Sequence, residues 1–385
     1  MESRSAAQRL IFVVFAFGWA LATALTVDVA ARKSFLLWLE HWTGDIRTAM
    51  FADRRDSQHP GVVVVSVTDE TLTAFPYRTP VDRAFLAKLI KTLDSMQPRA
   101  IGLDMLMIHP TEPDKDADLV ATLKSTRTPF VIAAADSRIV LTDAERAAQT
   151  AFIAATNAAP GYANLLTGGD QVVRHIAAAD GTTDYGISFA AALAGANPAP
   201  RDTPRRIAWL LKPKDNSDTF LTLPAHLIQP PSLPAPAPTA NALARFVKDR
   251  IVLIGADLPD IDRHLTPLPE WEGEEVPGVM LHAQAVAQML DGREITPLRR
   301  EVLMWLYGLL ALIGAWIGER LGLLAYSALG GSMLVLIAGI DIALFVLTRQ
   351  FLPFGACAIA VMLGMIGGVI LKFAFNLIER RATPE

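Results

Sequence analysis

The chain has 385 residues, of which 52 % are hydrophobic and 19 % are charged, and its formal net charge is −4. This balance lacks the basic excess of nucleic-acid-binding proteins, so we expect no nucleic-acid partner. The single cysteine, Cys357, excludes a disulfide within the chain. Long apolar segments lie towards both ends of the sequence, which predicts a membrane protein with a large soluble domain between its membrane segments.

An uncharged stretch, residues 10–27, follows Arg4 and Arg9. About 20 apolar residues cross the hydrocarbon core of a bilayer, so this stretch predicts a first transmembrane helix. The alternative is a cleaved signal peptide, because Ala20 and Ala22 form a small-residue cleavage pattern. We favour a retained anchor because the stretch is longer than the usual apolar core of a signal peptide.

The next part of the sequence alternates between two patterns. Residues 61–67 are nearly all β-branched, which is typical of a strand buried on both faces. Residues 80–95 carry apolar side chains at helical spacing behind Pro80, which favours a helix. Further strands are predicted at 98–104, 129–135 and 250–256, and further helices at 117–124, 188–194 and 279–290. This alternation predicts a mainly parallel α/β sheet.

Two stretches of the soluble part are irregular. Residues 161–166 and 172–176 could pair as antiparallel strands across a turn at 168–170. Residues 229–238 are rich in proline, and we interpret them as an exposed loop rather than as a ligand for a proline-binding module.

Three apolar runs follow the soluble part, at residues 302–318, 321–347 and 351–371. Short polar breaks separate them, as expected where a chain turns at a membrane surface. They predict a helical hairpin and one further crossing, so the total is four crossings.

Basic residues flank the apolar segments, with Arg4 and Arg9 before the first segment and three basic residues after the last. Since basic flanks stay in the cytoplasm, we expect both termini there, and an even number of crossings agrees. The soluble domain would then be periplasmic or extracellular, on the outer side of an inner (plasma) membrane. Basic pairs at residues 32–33 and 299–300 argue weakly for the reverse orientation.

The predicted fold is therefore an α/β extracytoplasmic domain with a mainly parallel sheet, plus four transmembrane helices, one before it and three after it. The expected boundaries are 1–29 for the cytoplasmic start and first transmembrane helix, 30–300 for the outer domain, 301–372 for the three following helices, and 373–385 for a short cytoplasmic tail.

Several of these segments carry a family resemblance. The matching segments are residues 62–70, 75–78, 100–106, 161–165, 170–174, 250–256, 265–267, 277–283 and 290–292. In this order they resemble the motifs of the CHASE domain of the second type, the cyclase/histidine-kinase-associated sensory extracellular domain. The resemblance spans most of residues 30–300, and one anchor before such a domain with three crossings after it is typical of that family.

The resemblance implies a sensory role, in which the outer domain responds to an external ligand and the membrane helices pass the change inward. Only about fourteen residues follow Leu371, so we expect a separate signalling protein to provide the output, or the output to be absent. We expect a receptor subunit without enzymatic activity. The alternative is a membrane enzyme or transporter component that works through its transmembrane bundle.

Four residues form the candidate ligand site. Asp69 and Asp104 follow predicted parallel strands, and open α/β sheets form their ligand crevices at these strand ends. Arg174 could bind an anion or a carboxylate, and His282 could titrate near neutral pH. The alternative for each is a structural role, since turns and caps also favour aspartate.

Asp341 is the candidate functional residue of the membrane region, because carboxylates inside apolar helices usually face a bundle interior or a partner. Its alternative is a position near the outer end of the helix, reached by Arg349. Glycines of the last two apolar runs, including Gly364 and Gly368, offer small surfaces for close helix packing within the chain or between chains. They favour a homo-oligomer or a complex with a separate signalling protein.

Motifs for metal or nucleophilic chemistry are incomplete. The seven histidines have no metal-ligand spacing, so we expect no metal site and no cofactor. Asp114 and Asp116 begin a calcium-loop pattern that lacks its glycine and its final glutamate, and we interpret them as an acidic helix start. Ser188 lies in an incomplete nucleophile-elbow pattern and is interpreted as a helix N-cap.

Overall fold

A computed structural model describes residues 6–178, 184–195, 203–231, 237–268 and 275–382. The chain forms two compact units. The soluble unit runs from Ala52 to Glu294, and the membrane unit comprises the chain up to Phe51 and from Ile295 onward. Arg4, the centre of the proline-rich stretch (232–236) and residues 383–385 of the predicted tail lie outside the described residues.

The elements are numbered along the chain. The helices are α1 (Ala6–Ala30), α2 (Ser34–Phe51), α3 (Asp69–Leu72), α4 (Arg83–Ser95), α5 (Pro113–Ser125), α6 (Asp143–Ala154), α7 (Phe189–Ala194), α8 (Ala225–Ile228), α9 (Ala237–Val247), α10 (Gly278–Leu290), α11 (Arg300–Arg320), α12 (Leu323–Thr348) and α13 (Phe354–Ala382). The strands are β1 (Asp53–Arg54), β2 (Val62–Thr68), β3 (Ala100–Asp104), β4 (Phe130–Ala134), β5 (Ala159–Tyr162), β6 (Leu165–Thr167), β7 (Val173–Ile176), β8 (Arg205–Arg206), β9 (Leu210–Leu211), β10 (Leu221–Pro224), β11 (Ile251–Asp257), β12 (Arg263–His264), β13 (Val276–Pro277), β14 (Thr296–Pro297) and β15 (Gln350–Phe351).

The main sheet of the soluble unit has six strands in the order β10-β2-β11-β3-β4-β5. All of its pairings are parallel. The apolar runs that predicted buried strands form β2, β3, β4 and β11, so the mainly parallel α/β sheet is confirmed. The register places Ile251 beside Val62 on one side and beside Ala100 on the other. β11 is therefore a central strand that separates β2 from β3.

Alternate side chains of each central strand enter two different cores. Val63, Val65 and Val67 pack with α4 and α5 on one face, while Val62 and Val64 pack with α7 and α10 on the other. This follows from the two-residue period of a strand. Complete burial of such side chains contributes about 1.5–3 kcal/mol each, which explains why these strands are nearly continuous in β-branched residues.

The smaller sheets of the soluble unit bear on two predictions. β6 and β7 pair antiparallel, which confirms the predicted pairing in part. Gly161 and Tyr162 instead belong to β5 and extend the main parallel sheet. The proline-rich stretch is followed by α9, which begins at Ala237, so the last two residues of the predicted loop, 237 and 238, are helical.

Four helices in the described part of the membrane unit are long and apolar enough to cross a bilayer, namely α1, α11, α12 and α13. They correspond to the four predicted segments. Gly364 and Gly368 are used for packing within the chain, because a Cβ added at either position would overlap the backbone of Ala311 or Ala315 in α11. Small residues thus bring α11 and α13 into backbone contact.

Helix α2 was not predicted. It packs against α12 and α13 and belongs to the membrane unit, whereas the sequence boundaries assigned residues from 30 onward to the outer domain. Its apolar residues are interrupted by Glu40, Asp45 and Arg47, so it lacks the uninterrupted apolar run that identifies a membrane span.

Candidate ligand-binding site

A cavity of about 610 Å³ lies at the carboxyl ends of β3, β4, β5 and β11. Small-molecule sites typically enclose about 300–1,000 Å³, so the cavity has a suitable size. Its lining residues are Thr79, Pro80, Val81, Arg83, Asp104, Met105, Leu106, Ile108, His109, Arg138, Ile139, Ala163, Asn164, Leu165, Leu166, Ala256, Leu258, Ile261, Asp262, His264 and His282.

The sheet topology explains why a cavity forms here. β3 is followed by α5, which packs on one face of the sheet. The adjacent strand β11 is followed by α10, which packs on the opposite face. The two connections therefore diverge beyond neighbouring strand ends, and such a topological switch point leaves a crevice in open α/β sheets.

Asp104 ends β3 and lines the cavity next to His282 of α10. Its side chain is only 9 % exposed, and its Oδ1 lies 3.6 Å from Nε2 of His282. Its other carboxylate oxygen, Oδ2, is buried and has no hydrogen-bond donor among the described residues. His282 also packs edge-on against Phe189, with 5.2 Å between the ring centroids.

Burial shifts the pKa values of both residues towards the neutral forms. Burial raises the pKa of Asp104 well above its ordinary value, and the nearby Asp262 carboxylate adds to this. Burial also lowers the pKa of His282 to about 4, although Asp262 opposes the shift. Burial therefore disfavours a charge on either group, because the charge would be poorly solvated, and a cation beside Asp104 would favour its ionised form.

Asp262, which is paired with His264, is the second carboxyl group that lines the cavity. Asp262 has a left-handed backbone conformation (φ 52°), and its Oδ1 lies 2.8 Å from Nε2 of His264. Burial disfavours its charge, but the hydrogen bond with His264 outweighs burial, so the pKa of Asp262 is lowered. Gly278 makes this arrangement possible, because a Cβ there would overlap the Asp262 carboxylate.

Asn164 lies on the part of the cavity that follows β5. Its Nδ2 donates a hydrogen bond of 2.7 Å to Oδ1 of Asp136, a fully buried carboxylate. Asp136 also accepts from Arg138, whose hydrogen bonds outweigh burial and lower the pKa of Asp136. An ionised carboxylate can only accept, so the Asn164 amide has a defined orientation. Its Oδ1 is buried without a donor among the described residues.

The other two predicted site residues do not line the cavity. Asp69 is the first residue of α3, has a side chain 51 % exposed, and forms an ion pair with Arg78. β11 lies between the strands that precede Asp69 and Asp104, which explains their separation. Arg174 is buried in β7 and donates to both carboxylate oxygens of Asp170, at 2.9 and 2.7 Å.

Sequence reasoning missed several polar residues of the cavity, among them Arg138, Asn164, Asp262 and His264. Arg138 follows the predicted strand at 129–135, and Asn164 lies within one of the segments that carry the family resemblance. Their positions shortly after strands could have identified both residues from the sequence. The juxtaposition of Asp262 with Asp104 depends on the central position of β11, which local sequence does not reveal.

Asp341, the candidate in the membrane region, is buried in α12 and pairs with Arg47 of α2. It also accepts a hydrogen bond of 2.7 Å from the Leu352 backbone nitrogen. The Arg47 guanidinium lies 5.2 Å from the ring centroids of both Phe345 and Phe351. These contacts connect α2 with α12 and with residues 351–352, which precede α13.

The chain is thus a membrane protein with a parallel α/β domain whose cavity lies at a topological switch point. The family model of the CHASE2 domain matches residues 17–318. The match covers well over half of the sequence, so the chain belongs to the CHASE2 family, a family of extracellular sensory domains. Comparisons with curated proteins and with solved structures returned no match.

Proposed function

We propose that the protein is a receptor subunit that binds a small molecule in the cavity of its soluble unit and passes the signal through its membrane helices to a cytoplasmic signalling protein. The family is sensory. The single observation that carries the proposal is the cavity itself, which combines a suitable volume with the buried carboxyl of Asp104. Convergent polar groups in an apolar pocket are typical of ligand sites.

The proposed location is an inner (plasma) membrane, with both termini in the cytoplasm and the soluble unit, Ala52–Glu294, on the outer side. Four helices that could cross a membrane would return the chain to its starting side. The basic residues beside the first and last of these helices favour the cytoplasm for both ends. The partner inside the membrane would be a second copy of the chain or a separate signalling protein.

The contacts of Asp341 do not favour the alternative of a membrane enzyme or transporter. Its carboxylate is bound by Arg47 and by the Leu352 backbone. A carboxylate that carries ions or protons needs a route to water, whereas this one holds helices together. We therefore propose a structural role for Asp341 and a receptor without enzymatic activity.

A variant with an obstructed cavity tests the proposed ligand site. Ala163 lines the cavity, so Ala163→Phe would fill part of it, whereas Ala117→Phe would place the same side chain on the exposed surface of α5. The full chain in lipid nanodiscs is incubated with a small-molecule extract of the growth medium, and retained compounds are identified by mass spectrometry.

We expect the wild type and Ala117→Phe to retain the same compound and Ala163→Phe to lose it while melting at a similar temperature. Equal retention by both variants, or retention by none of the proteins, would contradict a ligand site in this cavity.

A further inference from the structure

We propose that the cavity binds an amine, specifically a small molecule with a largely apolar body and a protonated amino group that donates hydrogen bonds to Asp104 and Asn164. This inference rests on the proposed function, because it names the ligand class of the same cavity. Three features of the lining carry it: apolar walls, two buried acceptors that lack donors, and one carboxyl group that lacks a cationic partner.

The walls of the cavity are mostly aliphatic, with side chains such as Leu106, Ile108, Ile139, Leu165 and Ile261. Such walls favour an apolar body, because burying it releases water from apolar surface on both partners. The few polar groups then determine which functional group the ligand must carry.

The two unsatisfied polar atoms of the lining are both oxygens, and both are acceptors when a neighbouring cation holds Asp104 in its ionised form. Oδ2 of Asp104 and Oδ1 of Asn164 are buried, and no described residue donates to either. The Asn164 amide has one orientation, in which the unsatisfied atom is the oxygen, because its Nδ2 is bound to the Asp136 carboxylate. A buried acceptor without a donor is costly, so a ligand that supplies N–H or O–H groups gains affinity. A carboxylate ligand would instead place an acceptor against Oδ1 of Asn164 and would further disfavour the ionised form of Asp104.

Asp104 also lacks a charged partner. The other charged lining groups are already paired: Asp262 with His264 at 2.8 Å, Arg138 with Asp136, and Arg83 with Asp116 at 3.7 Å. His109 lies 3.5 Å from Glu145. Asp104 lies 3.6 Å from His282, whose imidazole burial keeps neutral, and its other charged neighbour, Asp262, is also a carboxylate. The complementary ligand group is a cation, and an ammonium supplies three donors as well as the charge.

Three probes with one skeleton test the ligand class: phenethylamine, phenethyl alcohol and phenylpropionate. Their binding to the full chain in nanodiscs is measured by calorimetry near neutral pH, with empty nanodiscs as the blank. We expect the amine to bind at least about tenfold more tightly than the other two, as a charge-assisted hydrogen bond implies. Asp104→Asn should remove this preference. Asp69→Asn, an exposed carboxyl outside the cavity, should retain it.

Each other outcome has a defined meaning. A preference for phenylpropionate or phenethyl alcohol that Asp104→Asn abolishes would overturn the amine class and leave the cavity as the ligand site. Failure of all three probes to bind the wild type would also overturn the amine class. The retention experiment with Ala163→Phe then reports separately whether the cavity holds another molecule.

Helix α2 supports a second, independent inference, because its exposed face is apolar, whereas the exposed face of a helix in a soluble protein is usually polar. Its outward face is apolar and aromatic, with Phe35, Trp38, Trp42, Ile46 and Met50 all more than 40 % exposed. These residues recur every three or four positions and so form one stripe along the helix.

Two charged side chains of α2, Arg47 and Glu40, contact other parts of the membrane unit instead. Arg47 is 4 % exposed and pairs with Asp341, and Glu40 accepts a hydrogen bond of 3.1 Å from the Ala356 backbone nitrogen. A helix that turns Arg47 and Glu40 into the membrane unit and exposes Trp38 and Trp42 is suited to contact with lipid. We infer that the stripe from Phe35 to Met50 lies in the interfacial region of the bilayer, where tryptophan is enriched.

Spin labels test this placement. In a Cys357→Ala background, single labels replace Trp42 and Ile46 on the stripe, and a control label replaces Val140, which is 99 % exposed on the soluble unit. In nanodiscs we expect oxygen, which dissolves in lipid, to relax the stripe labels more than a water-soluble nickel chelate does, and the control to show the reverse. Nickel access equal to that of the control would overturn lipid contact. Protection from both reagents would overturn it too, since a protein would then cover the stripe.

Discussion

Asp104 and His282 lie 3.6 Å apart in surroundings that disfavour a charge on either side chain. Burial of these two side chains therefore lowers the stability of the folded state in two different pH ranges. The unfolded imidazole binds a proton as the pH falls below about 6.5, whereas the folded one resists protonation until the pH reaches about 4. The native state is thus penalised in acid by His282, and in neutral or alkaline solution by Asp104, whose pKa is raised.

We expect His282→Gln to make the protein less sensitive to mild acid. For His282 the unfolded state binds more protons between pH 6.5 and about 4, so stability falls as the pH decreases through this window. A shift from 6.5 to about 4 corresponds to about 3 kcal/mol when fully expressed. The measurement is the melting temperature as a function of pH, with His109→Gln, an exposed histidine, as the control. Parallel profiles for the wild type and both variants would contradict this role of burial.

At the scale of single elements, α2 is attached to the membrane unit by the buried contact between Arg47 and Asp341. Removing one partner of a buried ion pair leaves the other charge without compensation, which typically costs about 3–5 kcal/mol. We expect Arg47→Gln to lower resistance to unfolding in a detergent titration by that order. The double variant Arg47→Gln/Asp341→Asn should be less damaged than the sum of the single variants, which is the mark of a direct interaction. Additive losses would mean that the two side chains act separately.

Helices α11 and α13 depend on a different kind of contact. Gly364 lies against the backbone of Ala311, and an added Cβ would overlap it. We expect Gly364→Ala to destabilise the membrane unit by about 1–3 kcal/mol or more, the usual effect of overpacking. Gly331→Ala is the matched control, because a Cβ at Gly331 meets no described atom within 4 Å. Equal stability of the two variants in the same detergent titration would contradict backbone contact between these helices.

Sequence patterns predicted the elements that are apolar over their whole length. Buried strands such as β2 and β11 are continuous in β-branched residues, and membrane helices need about 20 apolar residues, so both give strong local signals. The edge strand β5, with the sequence Ala-Pro-Gly-Tyr, gives almost none. The pattern of α2 is also ambiguous, because lipid rather than water determines which of its faces is apolar.

Positions directly after predicted strands identified only part of the candidate site. Asp104 and its partner His282 were identified, and both line the cavity. Asp69 was grouped with Asp104 because both follow predicted parallel strands, but β11 lies between those two strands. The order of strands in a sheet depends on contacts between distant parts of the chain. The residues that β11 brings to the cavity, Asp262 and His264, were missed for the same reason.

The topology of the whole molecule is the remaining prediction. We expect a reporter fused after Glu385 to be cytoplasmic and a reporter inserted near Pro236, outside the described residues, to be on the opposite side of the membrane. Alkaline phosphatase and green fluorescent protein fusions distinguish the two compartments. Both reporters on the same side would contradict four crossings. N-terminal sequencing of the mature protein determines separately whether the first helix is retained.

The central position of β11 also constrains biosynthesis. β2 and β3 pair with β11 and not with each other, so their facing edges stay open until residues 251–257 have been synthesised and, in the proposed topology, exported. Unpaired edges of apolar strands are prone to aggregation. In that topology, the growing chain needs protection on the outer side of the membrane while most of the domain waits for its middle strand. The cavity, which β11 completes, can form only after this late strand has arrived.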